Sequence, residues 1–330
     1  MDTLTGLLEG PKARGAFLLK SVFNPPWSLR VEDRAPISVV TMVRGDAWVI
    51  PDNGDPVLLC PGDVAVMRGP EAYTIADNLD TPLQIVVGPE QRCNTTEGED
   101  VTETMALGVR TWGDDSRVGS SVMLSGTYQA PSEIGRRLLA ALPVLLVRPA
   151  EAGPNPLVAL LADEIGKDEI GQELVLDRLL DLLLVSVLRT WLAVPESGAP
   201  AWYRAQSDPV VGPALRLLHE QPGKAWTVAS LADTVGVSRA GLARHFTHLV
   251  GEPPMAYLTG WRLTLAADLL REPDATVATV ARRVGYSGAF ALSAAFKRVR
   301  GVSPQQFRKG SGSPSAHRQG APARIVVLDR

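Results

Sequence analysis

The chain has 330 residues and a formal net charge of −3, but the charge is unevenly divided. Residues 1–208 contain 17 Lys and Arg against 29 Asp and Glu, whereas residues 209–310 contain 13 against 6, which predicts a basic module for a polyanion beside an acidic module with another role. Two cysteines exclude a disulfide framework, and the lack of a long uncharged apolar run or a signal-peptide pattern predicts a soluble, cytoplasmic protein with no membrane span.

Residues 1–150 are predicted to form a small β-barrel or jelly roll. Short alternating runs such as SVVTMVRG and DAWVIP are separated by turn pairs such as Asn53-Gly54 and Pro61-Gly62. The stretch RGDAWVIPDNGDPVLLCPGDVAVMRGPEAYTIADN, residues 44–78, resembles the cupin-type sensor domain of one branch of AraC-family transcription regulators. The resemblance covers about residues 16–122 and implies a barrel that senses a signal or supports dimerisation.

Many cupins are metal enzymes, so an enzymatic function is weighed here. Cupin enzymes usually hold their metal with histidines, but His219, His245, His248 and His317 all lie after residue 208. Tyr73 stands near the position where a ligand histidine is expected, and carboxylates alone make a poor transition-metal site. We therefore expect no metal, no cofactor and no catalytic residue. A cupin-type enzyme or ligand-binding protein with an appended DNA-binding module is the alternative function.

The interior of the barrel is the predicted place for an unknown small-molecule effector, because barrel cavities commonly hold ligands. The candidate lining residues are Trp48, Met67, Tyr73 and Ile75, for which plain core packing is the alternative. Cys60 and Cys93 are candidates for a redox sensor, which would need an exposed thiolate or a partner thiol. Buried structural thiols are the alternative for both.

Residues 151–193 are predicted to be a helical connecting and dimerisation segment, with two helical stretches broken near residues 166–171. The second stretch has apolar residues on two sides, namely Leu176, Leu179, Leu180, Leu183, Val187 and Trp191 on one, and Leu182, Leu184 and Leu188 on the other. A helix with two apolar faces needs two partners. We expect the barrel and the same helix of a second subunit, giving a homodimer, while burial of both faces within one chain is the alternative. Residues 194–208 follow as a linker rich in Pro, Ala and Ser.

Residues 209–309 contain one supersecondary unit twice, at an offset of 49 or 50 residues. The matched pairs include Ala232 and Ala281, Gly236 and Gly285, Leu242 and Leu292, Phe246 and Phe296, and Pro254 and Pro304. Each copy predicts a helix, a glycine turn and a second helix. A single helical hairpin is common in all-α cores, but two copies in a basic segment favour a tandem helix-turn-helix that binds DNA. An adaptor whose tandem unit binds protein is a further alternative.

Three segments carry a specific resemblance, SLADTVGVSRAGLARHF, YLTGWRLTLAADLL and VARRVGYSGAFALSAAFKRVRGVSPQQFR. They are similar to the DNA-binding domain of the AraC/XylS family of bacterial transcription regulators, from Asp208 to Lys309. The resemblance implies seven helices, two reading helices of unequal role and bent, double-stranded promoter DNA near RNA polymerase. A helix over residues 254–270 would be about 25 Å long and could hold both readers on one side of the duplex.

The residues expected to face DNA lie on the second helix of each unit. In the first unit they are Arg239, Ala240, Ala243, Arg244 and Thr247; in the second they are Ser287, Ala289, Phe290, Ser293, Ala294, Lys297, Arg298 and Arg300. The first set includes arginines that can pair bidentately with guanine. With Leu292, Phe296 and Val299 expected to turn inward, the outward face of the second helix has no side chain that pairs bidentately with a base; it consists of Ala289, Phe290, Ser293, Ala294 and Lys297. Lys297, Arg298 and Arg300 are expected to contact phosphates. We therefore predict that the first unit discriminates sequence and the second grips and bends DNA. A solvated helix face is the alternative for these arginines.

The overall prediction is an α+β protein. An N-terminal cupin-like β-barrel with a helical dimerisation segment is followed by an all-α tandem helix-turn-helix domain. Residues 310–330 are expected to be a disordered tail, because the segment is rich in Ser, Gly, Pro and Ala. The closing IVVLD has no interpretation from sequence.

Overall fold

The computed structural model describes residues 17–114, 117–128, 139, 141–152, 155–194, 200–272, 274–310 and 324–328. These residues divide into two compact units. The β unit contains residues 17–194 and 324–328, and the helical unit contains residues 200–310, each with the gaps just given. Each unit is described by itself below.

The larger sheet of the β unit has eight strands, in the order β10-β11-β1-β12-β3-β6-β13-β14. Their bounds are β1 Phe17–Phe23, β3 Ile37–Arg44, β6 Val64–Arg68, β10 Ala106–Gly108, β11 Thr111–Gly113, β12 Ser121–Tyr128, β13 Leu145–Arg148 and β14 Ile325–Val327. The centre of this sheet is antiparallel: β12 pairs with β1 and β3, and β6 pairs with β3 and β13. β14 adds to the edge in parallel with β13.

The smaller sheet has six strands, in the order β5-β4-β7-β2-β8-β9. Their bounds are β2 Ser28–Val31, β4 Ala47–Pro51, β5 Val57–Leu59, β7 Tyr73–Ala76, β8 Ile85–Val87 and β9 Cys93–Thr95. One apolar core contains side chains from both sheets, including Phe23, Met42, Val49, Ile75 and Leu145. The predicted α+β class and cupin-type β domain are confirmed, with the difference that the described strands form two sheets around the core and not one closed barrel.

The C-terminal segment corrects one prediction. Residues 310–330 were expected to be disordered, but Ile325–Val327 form strand β14 on the β unit. The apolar run IVVL explains this, because β13 otherwise presents unpaired backbone groups at a sheet edge. Residues 311–323 lie outside the described part of the chain.

Two helices belong to the β unit, α1 Pro156–Glu164 and α2 Gln172–Ala193. α2 packs on β12 at Gly126, where an added Cβ would lie 2.6 Å from a terminal carbon of Leu180, so a larger residue there would displace the Leu180 side chain. The second apolar side predicted for α2 is mostly buried within the chain, since Leu184 and Leu188 are inaccessible. The exposed apolar side chains are instead Leu174, Val175 and Leu182, which we call the apolar strip.

The helical unit begins with the short helix α3 Ala201–Arg204. Seven helices follow within the described residues 209–310, as the family resemblance implied: α4 Val211–Glu220, α5 Val228–Thr234, α6 Arg239–Val250, α7 Pro254–Leu269, α8 Val277–Arg283, α9 Ala289–Arg300 and α10 Pro304–Arg308. The two repeats have separate cores, one around Leu242 and Phe246 and the other around Leu292 and Phe296. α7 enters both cores and therefore joins them.

No helix in the part of the chain that the structure describes combines the length and the apolarity that crossing a bilayer requires.

Candidate nucleic-acid interface

Both repeats use the same local chemistry to form a helix-turn-helix. Thr227 and Thr276 cap α5 and α8 in reciprocal capping boxes with Ser230 and Thr279. The turn residues Gly236 and Gly285 have φ of +76° and +85°, a left-handed conformation that glycine adopts without strain. The amide that follows each glycine then bonds back to Ala232 or Ala281, at 3.0 and 2.8 Å. These turns set the direction of α6 and α9.

The outer face of α6 has the composition expected of a base-reading helix. Ser238 caps the helix by accepting a hydrogen bond from the Gly241 amide at 3.1 Å. Leu242 and Phe246 are fully buried, which leaves the predicted residues on the opposite side. Arg239, Ala240 and Arg244 are exposed, and Ala243 and Thr247 are half-buried. Among the described residues, neither arginine forms an ion pair, so both guanidinium groups are available to a ligand.

His245 on α6 has a structural contact. Its Nε2 lies 2.8 Å from Asp208 Oδ2, and Asp208 Oδ1 accepts hydrogen bonds from the Val210 and Val211 amides at 2.9 and 2.8 Å. Burial raises the pKa of Asp208, but the two amides and His245 outweigh this effect and hold the pKa below its ordinary value. Asp208 thus connects the start of α4 to α6, which fixes α6 in place.

The outer face of α9 has different chemistry. Phe290 is 87% exposed, and Ser287, Ala294, Lys297 and Arg298 are also exposed. Ala289 and Ser293 are half-buried on the same helix. The first half of this face therefore offers an aromatic ring, methyl groups and hydroxyls, and the cations follow in the last turn. Gly288 is the N-cap and supplies no side-chain bond, and Ser287 does not replace it.

Val299 and Arg300 on α9 differ in exposure from the prediction. Val299 was expected to turn inward, but it is 55% exposed, and Ala295 is buried in its place. The last helical turn extends beyond the core around Phe296, which explains the exposure of Val299. Arg300 is half-buried with its guanidinium carbon 6.0 Å from the Phe296 ring centre, so it borders the core more closely than Lys297 and Arg298 do.

Arg262 on α7 holds the two repeats against each other, a role that sequence reasoning missed. Its Nε donates to the Pro222 carbonyl at 2.6 Å and its Nη2 to the Lys224 carbonyl at 2.7 Å. The loop that contains these carbonyls lies against the turn of the second repeat, where a Cβ on Gly285 would be 2.8 Å from the Gly223 carbonyl oxygen. The signal available in the sequence was a single basic residue in the mostly apolar helix PMAYLTGWRLTLAADL.

The β unit contains a cavity of about 300 Å³ between its two sheets. Of the four candidate lining residues, Tyr73 and Ile75 line this cavity, whereas Trp48 and Met67 do not. Strand alternation explains Trp48, which points away from the core while Ala47 and Val49 point into it. Met67 is buried beside its strand partner Leu145 instead.

The cavity wall is mainly apolar with a few buried polar groups. Asp33 accepts hydrogen bonds from the Gln91 side chain at 3.0 Å and the Ala35 amide at 2.9 Å. Thr127 Oγ1 is buried at the wall and has no hydrogen-bond partner among the residues that the structure describes. Burial raises the pKa of the Tyr73 phenol well above its usual range, an effect larger than that of its bond to Ser38. These groups can orient a small apolar molecule that has a polar end.

The two cysteines are far apart and chemically different. Cys60 follows β5 and Cys93 begins β9, which are the two outermost strands of the six-stranded sheet. Neighbouring strands are spaced by about 4.8 Å, so the cysteines cannot form a disulfide within one chain without unfolding the sheet. Burial, with a smaller effect from Asp100, raises the pKa of Cys93 to about 11, which keeps this residue a thiol at neutral pH.

The metal chemistry of cupin enzymes does not fit these residues. The first histidine in the sequence is His219, so residues 1–208 supply no imidazole. Among the residues described, no three His, Cys, Asp or Glu side chains are grouped closely enough to hold a metal ion.

Comparison with known proteins matches both units. A family model described as cupin matches residues 2–193, and one described as a helix-turn-helix domain matches residues 231–310. A putative AraC-like transcription regulator of Streptomyces lividans is 32% identical over 319 residues, which cover 95% of this chain and 100% of that protein. One from Streptomyces antibioticus is 32% identical over 94% of this chain and 99% of its own length. The regulator AlkR of Acinetobacter baylyi is 35% identical over 54% of this chain and 60% of its own length.

Proposed function

Because this chain belongs to the AraC-like, helix-turn-helix transcription regulators that bind DNA, with a cupin-type domain at the N-terminus, we propose that its two repeats have different tasks on one duplex. α6 reads base edges in the major groove of promoter DNA. α9 holds and bends the adjacent turn. The observation that carries the proposal is the contrast between the exposed, unpaired arginines of α6 and the exposed ring of Phe290 on α9.

The side chains of α6 suit direct readout. Arg239 and Arg244 can each donate two hydrogen bonds to O6 and N7 of a guanine. Ala240 and Ala243 lie between them and are small enough for the helix to come close to the bases. Their methyl groups can also contact a thymine methyl. The Thr247 hydroxyl already donates to the Ala243 carbonyl at 2.7 Å, so we assign it an accessory role.

The side chains of α9 suit contacts that tolerate many sequences. Lys297 and Arg298 can bind phosphates, with Arg300 beside them. Ser287, Ala289, Ser293 and Ala294 allow close approach but supply no bidentate donor. Phe290 can press on thymine methyls or on a deformed base step. Arg262 supports the division of tasks, because it ties the two repeats together and both helices then meet one duplex in a fixed relation.

The test uses duplexes that the protein itself selects from a random-sequence pool. Arg244→Ala should lower the preference for selected over random duplex by about tenfold, since one bidentate contact contributes about 1–3 kcal/mol. Arg216→Ala is the matched control, because Arg216 is an exposed arginine on α4 and belongs to neither α6 nor α9. An unchanged preference in Arg244→Ala would refute the assignment of α6. Binding without steep salt dependence would favour a protein partner instead of DNA.

We further propose that the cavity beside Tyr73, Ile75 and Thr127 binds the effector, a small and mostly apolar molecule. Candidate molecules should raise the unfolding temperature of the natural protein and leave that of Thr127→Val unchanged, which tests binding in the cavity.

We also propose a homodimer through the apolar strip on α2, contact with RNA polymerase, action in the cytoplasm and no catalytic step. Light scattering at micromolar concentration tests the dimer, and a monomer there would refute it.

A further inference from the structure

The chain returns to the β unit after completing the helical unit. The last helix, α10, ends at Arg308, and residues 311–323 lead to Arg324 and strand β14. Those 13 residues can span at most about 45 Å. The helical unit is thus connected to the β unit at both of its ends, first through residues 195–199 and then through β14.

Strand β14 is held by specific contacts. Ile325, Val326 and Val327 pair in parallel with Leu145, Leu146 and Val147. The Val144 amide donates to the Arg324 carbonyl at 2.9 Å, and the Leu328 amide donates to the Val147 carbonyl at 2.8 Å. Leu328 is only 3% exposed.

The edge that β14 covers is built to accept a strand. β13 is buried along its whole length and pairs on its other side with β6, so its remaining backbone groups need this partner. Ile325 packs on the core of the β unit and reaches Gly54, where a Cβ would lie 2.6 Å from the Ile325 side chain. The edge therefore selects apolar side chains at the positions of Ile325 and Leu328.

We propose that residues 324–328 form a reversible clasp that restrains the DNA-binding unit by attaching its C-terminal end to the β unit. Three parallel pairs are too few to hold a separate peptide tightly, but a short connection gives an effective concentration in the millimolar range. Because the strand stays connected to the helical unit, it can dissociate from β13 and pair with it again. When it leaves, the helical unit is attached at one end only, and its approach to DNA changes. This consequence rests on the proposed function, whereas the clasp itself does not.

The experiment measures hydrogen exchange at residues 144–148 in the full-length chain. Leu328→Asp should speed exchange there about tenfold or more, because the edge loses its partner. Val327→Asp, which adds the same charge at a side chain that is 46% exposed, should leave the exchange close to that of the natural protein. Equal exchange in the natural protein and in Leu328→Asp would overturn the clasp, as would equal acceleration in both variants.

Rescue in trans separates loss of the clasp from general damage. A synthetic peptide of residues 321–330 at millimolar concentration should restore the protection of residues 144–148 in Leu328→Asp. The peptide with the same replacement should not. Failure of the first peptide would overturn the proposal. A lower mass by light scattering for Leu328→Asp than for the natural protein would assign the strand to a second copy and would overturn closure within one chain.

The consequence for DNA is measured on the selected duplex. Leu328→Asp should change the affinity by about threefold or more, and Val327→Asp should not. If Leu328→Asp loses the exchange protection of residues 144–148 but keeps its affinity for DNA, β14 only completes the sheet. That outcome would overturn the proposed restraint of the DNA-binding unit. Absence of any sequence-selective binding in the natural protein would refute the proposed function instead, while the exchange data would still decide the clasp.

Discussion

Replacing Arg262 by methionine tests whether the two repeats act as one body. Methionine keeps an unbranched apolar stem but removes the donors to the Pro222 and Lys224 carbonyls. A hydrogen bond from a charged donor contributes about 1.5–3 kcal/mol when buried, and less when water reaches it. Because Arg262 is half-buried, we take about 1 kcal/mol for each bond, so Arg262→Met should lower the free energy of unfolding by about 2 kcal/mol. Arg216→Met, on the exposed side of α4, should change it by less than about 0.5 kcal/mol.

The assay combines urea unfolding with DNA binding. Exchange of the amides in the helical unit, followed in increasing urea, gives the change in stability of this unit separately from the β unit. Affinity is then measured for a selected duplex and for a duplex that keeps only the part protected by the first repeat. Arg262→Met should weaken binding to the complete duplex by about tenfold while leaving the shorter one unaffected, because the second repeat loses its fixed placement. An unchanged ratio of the two affinities would refute the coupling.

Two further predictions concern folding and pH. Phe246→Ala should lower the free energy of unfolding, measured by thermal unfolding, by about 3–5 kcal/mol because the ring is fully buried. Phe290→Ala should change this free energy by less than about 0.5 kcal/mol and still weaken DNA binding. Wild-type affinity for DNA in Phe290→Ala would contradict the role of Phe290. Since the folded-state pKa of Asp208 is below its ordinary value, its stabilising contribution is complete above about pH 4 and is lost as pH falls through the lower folded pKa. Urea unfolding across this range should show a smaller pH dependence in Asp208→Asn, and equal dependence would contradict the assignment.

The helical unit could be predicted closely because its signals are local. Threonine caps, glycine turns and the spacing of apolar residues each act within a few positions of the chain, and two copies reinforce each other. The error at Val299 arose at the end of α9, where helical periodicity continues but the core does not.

The β unit was less predictable because its contacts join distant residues. β14 pairs with a strand about 180 positions earlier, and no local pattern in IVVL identifies that partner. Similarly, the second apolar side of α2 was expected to meet a second subunit, with burial inside one chain as the alternative; Leu184 and Leu188 are buried within the chain, and Leu182 is exposed. Apolar periodicity predicts which side chains are buried but does not identify the element that packs against them.

α6 and α9 occupy the same place in their repeats but differ at their N-terminal caps. This difference fits the chemistry of the side chains that each helix exposes. Ser238 fixes the first turn of α6, and with it the positions of Arg239 and Arg244. α9 starts after Gly288 without a side-chain cap, a change that costs only a few tenths of a kcal/mol relative to a polar cap. Bidentate pairing with a base requires accurate direction, whereas contacts with phosphates and methyl groups tolerate small shifts. Under the proposed function, the helix with the capped start is therefore the one whose side chains would need accurate placement, and the missing cap of α9 removes nothing that its proposed contacts would require.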